Sequence, residues 1–360
     1  MSKDQILTSQ QEAVNESRRK LQENRAREWG LYGVSMGIDA LNLGIGGHEP
    51  TKVTVIAGRS GHGKSALLNS FFEPGVTVRG GKKAHFLVLS WEMSPNLLID
   101  REICRRVGIT QSLFTQGAKL LGEATLKKVQ DVYDSCANFP IEYQTMSTNL
   151  STVRKLTYEF VERCKIAEQK EGVEIQPVII IDYLQMFKEE GSGTRTILIA
   201  NFMNGIKSVA NETGCSYTVI GQLGRNSDSQ ELPDRQNLSD SKSIEDACDN
   251  LVLIHRPAYL GQATIIDPKT GGEVPSTYRD EEGKVIGVML LRKLKARGFS
   301  IGDELINCDI AHFRFWGRDV KKWNEDFHYK YQSKAFWMGH FKLTTEVNKQ
   351  LDLKNTIAPF

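Results

Sequence analysis

The stretch GRSGHGKS, Gly58 to Ser65, follows the apolar run Val53-Thr54-Val55-Ile56-Ala57 and precedes Ala66-Leu67-Leu68. Gly58, Gly63, Lys64 and Ser65 fill the pattern G-x-x-x-x-G-K-[ST], with a strand-like run before it and a helix-like run after it, as a phosphate loop requires. The glycines let backbone N–H groups turn inward around phosphate oxygens, and the following helix offers its N-terminus to the anion. Lys64 then reaches the β- and γ-phosphates and Ser65 ligates Mg²⁺. Arg59, Ser60, Gly61 and His62 complete the loop, with Arg59 and His62 expected to be spacers.

A phosphate loop serves many chemistries, so the ends of other apolar runs have to choose among them. Such runs fall at 52–57, 84–90, 140–144, 178–183, 216–220, 250–255 and 285–292 and alternate with helix-like segments. That alternation predicts an α/β fold with a mainly parallel central sheet flanked by helices, whose ligands sit at the carboxyl ends of the strands. Asp182 closes Val178-Ile179-Ile180-Ile181, where a carboxylate can hold Mg²⁺ through water. Glu92 follows Phe86-Leu87-Val88-Leu89-Ser90 and suits a general base for an attacking water. Gln222 stands behind Tyr217-Thr218-Val219-Ile220, able to sense the γ-phosphate. The plainer alternatives are a helix cap for Asp182 and a rim carboxylate for Glu92.

The remaining composition sets bounds. Lysine and arginine number 46 against 44 aspartate and glutamate, so an acidic polymer would be met by a local patch rather than a global field. Cys104, Cys136, Cys164, Cys215, Cys248 and Cys308 are scattered without close pairs, which fits reduced thiols in a cytoplasmic setting. No apolar stretch approaches the roughly 20 residues that span a bilayer, and no signal peptide is expected. Residues 4–29 read as a helix with Leu7, Val14 and Leu21 at seven-residue spacing, a narrow stripe suited to a partner helix or groove; a solvated arm is the alternative. Residues 257–284 carry Gly, Pro, Asp and Thr without periodicity and read as a long loop or insertion, and 317–360 as a basic, aromatic tail.

Ser90-Trp91-Glu92-Met93, Asp182-Tyr183-Leu184-Gln185, Gln222-Leu223-Gly224-Arg225 and Ser243-Ile244-Glu245-Asp246-Ala247-Cys248-Asp249 together resemble, in order and spacing, the motifs of the DnaB-like replicative helicases, phage members included. The resemblance spans roughly residues 30–316. It implies a RecA-like ATPase domain that uses ATP and Mg²⁺, assembles as a homo-oligomeric ring, expected to be a hexamer, on single-stranded DNA, and unwinds duplex DNA at replication forks in the cytoplasm of a bacterium or of a phage-infected host. It assigns phosphate and metal binding to Lys64 and Ser65, metal support to Asp182, water activation to Glu92 and sensing to Gln222. It also places a Lys-x-Arg pair on a late strand, which Lys295-Ala296-Arg297 matches, with Arg297 as an arginine finger reaching the neighbouring subunit's nucleotide. Without the resemblance, these would read as solvated basic residues.

The resemblance further implies a DNA-gripping loop at Ser239, Asp240, Ser241, Lys242 and Ser243. Backbone N–H groups and cations there would hold phosphates without reading sequence. Ser239 stands where several relatives have arginine, and Lys242 is the one cation in the span. Arg225, Arg235 and Lys207 are further channel candidates, each equally well read as a solvated charge. The expected organisation is a linker or docking helix over 1–30, the ATPase domain over 31–316 and a tail over 317–360, with no room before the core for a globular primase-docking domain. The 257–284 segment and the tail become candidate sites for a loader, primase or polymerase. A RecA- or RadA-like recombination ATPase that forms filaments on DNA is the second hypothesis, and a clock- or signalling-type ATPase without DNA binding the third.

Overall fold

Side-chain alternation along the buried strands sorts the core into two layers. Ile56, Val88, Val178, Ile180 and Ile220 point to one face of the sheet, packed with Leu41, Phe71, Ile103 and Val129. Val55, Leu89, Ile179, Ile181 and Val219 point to the other, packed with Phe160, Phe202, Ile206 and Ile244. A sheet covered on both faces needs apolar residues at every strand position, which explains why these runs are continuous rather than alternating. The computed structural model describes residues 9–26, 31–72, 82–188, 192–223, 232–237 and 241–318, with positions 338 and 342.

The strands are β1 (Val53–Gly58), β2 (Lys82–Ser90), β3 (Ile141–Gln144), β4 (Glu174–Asp182), β5 (Ser216–Gln222), β6 (Asn250–His255), β7 (Thr264–Ile266), β8 (Glu273–Pro275), β9 (Thr277–Arg279), β10 (Val285–Ala296), β11 (Gly302–Asp309) and β12 (Arg314–Gly317). Their order in the main sheet is β12-β11-β10-β6-β1-β5-β4-β2-β3, with β9 beside β10. From β6 to β3 every pairing is parallel. β10 then joins β6 antiparallel, and β11 and β12 continue in that sense.

The helices are α1 (Gln10–Ala26), α2 (Asp39–Ile45), α3 (Lys64–Phe71), α4 (Pro95–Val107), α5 (Gln111–Gln116), α6 (Glu123–Cys136), α7 (Leu150–Glu171), α8 (Arg195–Thr213) and α9 (Ser241–Ala247). Local chemistry sets their ends. The Asn149 side chain accepts from the Thr152 N–H at 3.0 Å to cap α7, worth about 1 kcal/mol, and Gly172 stops that helix in the left-handed conformation. α4 starts with Pro95 in its first turn, where a missing N–H costs nothing.

All seven expected strands form, and the structure corrects the reading of what lies beyond them. The 257–284 segment is not a plain loop: it holds a 3₁₀ turn over Pro257–Leu260, the β7–β8 hairpin and β9. β11 and β12 extend the sheet on its antiparallel side, and β10 runs on to Ala296, so Lys295 lies on the strand itself. Among the described residues the first helix covers Gln10–Ala26, and residues 4–8 and 27–29 of the expected helix lie outside them. Leu7 lies outside the described residues, Val14 is half-buried and Leu21 is exposed. All six cysteines are free thiols, buried or partly so, and no described helix is long and apolar enough to cross a membrane.

Candidate active site

The parallel register puts the ends of four strands side by side. Gly58 pairs with Gln222, and Ser90 with Asp182. Beyond the ladder, the Leu223 N–H donates to the Gly58 carbonyl at 3.3 Å and the Trp91 N–H to the Asp182 carbonyl at 2.8 Å. The phosphate loop, the Glu92 turn, Asp182 and Gln222 therefore share one edge of the sheet.

Within the loop, Gly63 is the N-cap of α3 with φ 97°, a conformation that suits glycine and aims the first N–H groups of the helix into the cradle. Gly61 has φ 76°, and a Cβ there would sit 2.2 Å from the Tyr259 ring. The Lys64 ammonium donates to the Arg59 carbonyl at 3.0 Å. Burial pulls Lys64 below its ordinary value while Asp182 and Glu92 push it back up. Arg59 and His62 are not spacers, contrary to expectation. Both are buried, and His62 Nδ1 accepts from the Arg256 N–H at 2.9 Å, tying the loop to the end of β6. Burial, then the positive neighbours, push His62 down to about 3, so its ring is neutral.

Asp182 is fully buried, and neither carboxylate oxygen meets a donor in good hydrogen-bond geometry. Burial and the Glu92 charge raise it to about 7, outweighing the pull of Lys64, Arg101 and the Ser65 hydroxyl. An orphaned carboxylate beside a phosphate loop is a fitting partner for a hydrated divalent cation, so Ser65 and Asp182 suit Mg²⁺. Glu92 is exposed, in a turn held by the Ser90 hydroxyl, which donates to the Met93 carbonyl at 2.7 Å. Gln222 is held through its backbone: its N–H donates to Gln185 Oε1 at 3.2 Å, and its carbonyl accepts from Gln185 Nε2 at 3.1 Å.

Two partners escaped sequence reasoning. Arg101, on α4, lies in the field of both Asp182 and Glu92 and stacks 5.2 Å from the Phe313 ring centroid. Its only sequence signal is a position on the helix that follows Glu92. Gln185 was visible in its motif, but its grip on the Gln222 backbone was not.

Lys295 and Arg297 are not brought to this edge. β10 is antiparallel to β6, and Ala296 pairs with Asn250, which in turn pairs with Thr54 near the start of β1. Four residues of strand rise separate Thr54 from Gly58, about 13 Å, and two strand spacings add about 10 Å sideways. Lys295 donates to the Glu245 carbonyl and at 3.5 Å to that of Asp246, at the negative end of α9. Arg297 Nη1 pairs with Asp249 Oδ1 at 3.0 Å.

Of the expected DNA-gripping residues, Ser239 and Asp240 lie outside the described residues, as does Arg225. Residues 241–243 are not loop: they open α9, with Lys242 exposed and Ser243 half-buried. Lys207 is ion-paired with Asp249 at 2.6 Å, and Arg235 with Glu245 at 3.0 Å.

The fold and this constellation define a RecA-like phosphate-loop α/β protein. Residues 33–286 match the family described as DnaB-like helicase C terminal domain, and the chain belongs to that family. The replicative DNA helicase DnaB of Pasteurella multocida is 26% identical over 230 residues, covering 63% of this chain and 47% of that protein. The Rickettsia conorii protein of the same name is 22% identical over 307 residues, covering 82% and 59%. The chain thus spans about half the length of the curated relatives it matches. Among solved structures, a chain described as an ATPase domain superposes with TM-score 0.68 at 16% identity, over 86% of this chain and 99% of that one. A DnaB-like replicative helicase, described together with its interactions with primase, gives 0.65 at 16% identity, over 88% and 68%.

A carboxyl raised on folding adds stability below its unfolded value of 3.8 and loses it as pH climbs through about 7. Without nucleotide and in chelator, Asp182→Asn is therefore expected to gain stability over the parent as pH rises from about 5 to about 8, by at most on the order of 3 kcal/mol. Thermal denaturation across that range checks it; parallel curves for the two proteins would show that Asp182 carries no such cost.

Proposed function

We propose that this chain is the motor core of an ATP-driven DNA helicase whose copies form a ring, a hexamer by likeness to its family, on single-stranded DNA at replication forks. The observation that carries the reading is the division of the catalytic set between two edges of one sheet. The phosphate loop, Asp182, Glu92 and Gln222 share the carboxyl edge, while Arg297 sits at the amino edge, out of reach of its own Lys64. A site completed by a neighbour's Arg297 makes hydrolysis depend on assembly, which suits a ring or filament.

In this reading the phosphate loop binds the triphosphate of ATP, with Lys64 against the β- and γ-phosphates. Mg²⁺ bound at Ser65 and, through water, at Asp182 would neutralise charge on the phosphate oxygens. Glu92 accepts the proton of the attacking water as the new P–O bond forms and the bond to the ADP oxygen breaks, giving ADP and phosphate. Arg101 places a positive charge beside the two carboxylates and offsets part of their repulsion. Gln222 registers loss of the γ-phosphate, and its backbone passes the change to the segment leading to residues 239–243. There Lys242 and main-chain N–H groups grip the DNA backbone. The segment 1–30 docks on an adjacent copy. The 257–284 segment and the residues after 317 are proposed surfaces for a loader, primase or polymerase, in keeping with the primase interactions described for one structural neighbour. The setting is the cytoplasm of a bacterium or an infected host.

Mixed assemblies test the shared site. Glu92→Gln should bind ATP and fail to hydrolyse it, and Lys64→Ala and Arg297→Ala should each be inactive, the finger being worth about 10³ to 10⁵ in rate. Mixing Lys64→Ala with Arg297→Ala creates interfaces where an intact loop faces an intact finger, so ATP hydrolysis and fork unwinding should partly return. Subunits that exchange yet stay as inactive as either parent would refute a shared site, and filaments on DNA in place of closed rings would favour a recombination ATPase. Separately, deleting residues 1–29 should shift sedimentation at low micromolar concentration from a ring toward smaller species. An unchanged sedimentation profile would leave the solvated-arm alternative for that helix.

A further inference from the structure

The amino edge of the sheet carries a second cluster of charges, centred on Asp249. Its side chain is 2% exposed, and both carboxylate oxygens are taken. Oδ2 accepts from the Val53 N–H at 2.9 Å and from the Lys207 ammonium at 2.6 Å. Oδ1 accepts from Arg297 Nη1 at 3.0 Å. The backbone reinforces the arrangement: the Asp249 N–H donates to the Val53 carbonyl at 2.8 Å, and the Arg297 N–H donates to the Asp249 carbonyl at 3.2 Å. Arg297 is thus held to one residue by both its main chain and its guanidinium, yet its side chain remains 52% exposed.

A long, flexible arginine half in solvent samples many rotamers, and a group that must meet a phosphate across an interface pays for that freedom when it binds. A buried carboxylate that accepts from Nη1 narrows the guanidinium's rotamers while half of the side chain stays exposed. The Lys207 charge and the Val53 N–H keep Asp249 ionised: burial alone would raise it, and these partners hold it below the ordinary carboxylate range. The first residue of β1 and the finger therefore share one anchor, although the two lie far apart in sequence.

Building on Arg297 as the finger, we infer that Asp249 is a positioning residue for catalysis, orienting Arg297 for the nucleotide held by a neighbouring copy. It touches neither nucleotide nor metal, and it acts through the guanidinium alone. Lys207 belongs to this support and not to a DNA channel.

The test exploits the two edges. Asp249 also anchors β1, the strand that leads to the phosphate loop, so loss of activity in Asp249→Asn could arise at either end, and mixing separates them. Asp249→Asn should keep ATP affinity while kcat falls about tenfold or more, a part of what the finger itself supplies. Mixed with Lys64→Ala, it should regain hydrolysis, because its own loop is intact and the other copy's finger is good. Mixed with Arg297→Ala, it should not, because neither copy supplies a fully oriented finger. Rescue in the reverse pattern, or hydrolysis at the parent rate, overturns the proposal. The Lys64→Ala and Arg297→Ala mixture serves as the reference: if it stays inactive, Arg297 is not a finger in trans and the inference falls with it; if it revives while the Asp249→Asn pattern is reversed, only the inference falls. Should Asp249→Asn fail to assemble, Asp249→Glu keeps the charge for Lys207 and Val53 while displacing the anchor, and the same pattern of rescue is expected.

Discussion

The parallel pairing of β1 with β5 and β6 is the constraint on which the rest depends. It fixes Gly58 level with Gln222, and the β4–β2 ladder fixes Ser90 level with Asp182. A one-residue slip in either register would turn every buried side chain to the wrong face of a sheet that is covered on both sides. The core therefore enforces the alignment that the site needs. The same logic explains the other edge. Because β10 enters antiparallel, its Lys-Ala-Arg end is delivered to the amino side of the sheet, where Asp249 is waiting.

The site is assembled at an electrostatic cost. Asp182 is a buried carboxylate without a good donor, next to the charge of Glu92. Such a group costs stability at neutral pH, and a hydrated divalent cation held there would relieve that cost. Lys64 and Arg101 offset part of the burden, each itself lowered by burial and raised by the two carboxylates. Four charges of two signs at one edge of the sheet suit a ligand that carries both a metal ion and phosphates. The amino-edge cluster is the contrast: Asp249 has all its partners and is held ionised by them.

Much of this was legible in the sequence because the signals are local. The phosphate loop is eight contiguous residues, and the apolar runs of β4 and β5 end in the polar Asp182 and Gln222. What escaped was non-local. His62 looked like filler until Arg256, 194 positions away, was seen bonding to it. Arg297 and Asp249 lie 48 positions apart, and only the antiparallel return of β10 joins them. β7 and β8 are only three residues each and turn one apolar side chain apiece, Ile265 and Val274, toward a small cluster with Val288, Leu290 and Leu305, too short a run to show a periodicity, so the 257–284 segment read as a loop or insertion. The turn residues that close those strands are the same types that mark an unstructured insertion.

In the proposed function, division of one catalytic site between two copies of this chain would join the two edges of the sheet into a single mechanism. A cryo-electron microscopy structure of the full chain with single-stranded DNA and a non-hydrolysable ATP analogue measures it directly. The expected result is a closed ring in which Arg297, still paired with Asp249, lies within hydrogen-bond reach of the γ-phosphate held by a neighbouring copy's Lys64. An assembly in which Arg297 faces solvent at every occupied site, with another residue at that phosphate, would contradict a divided site.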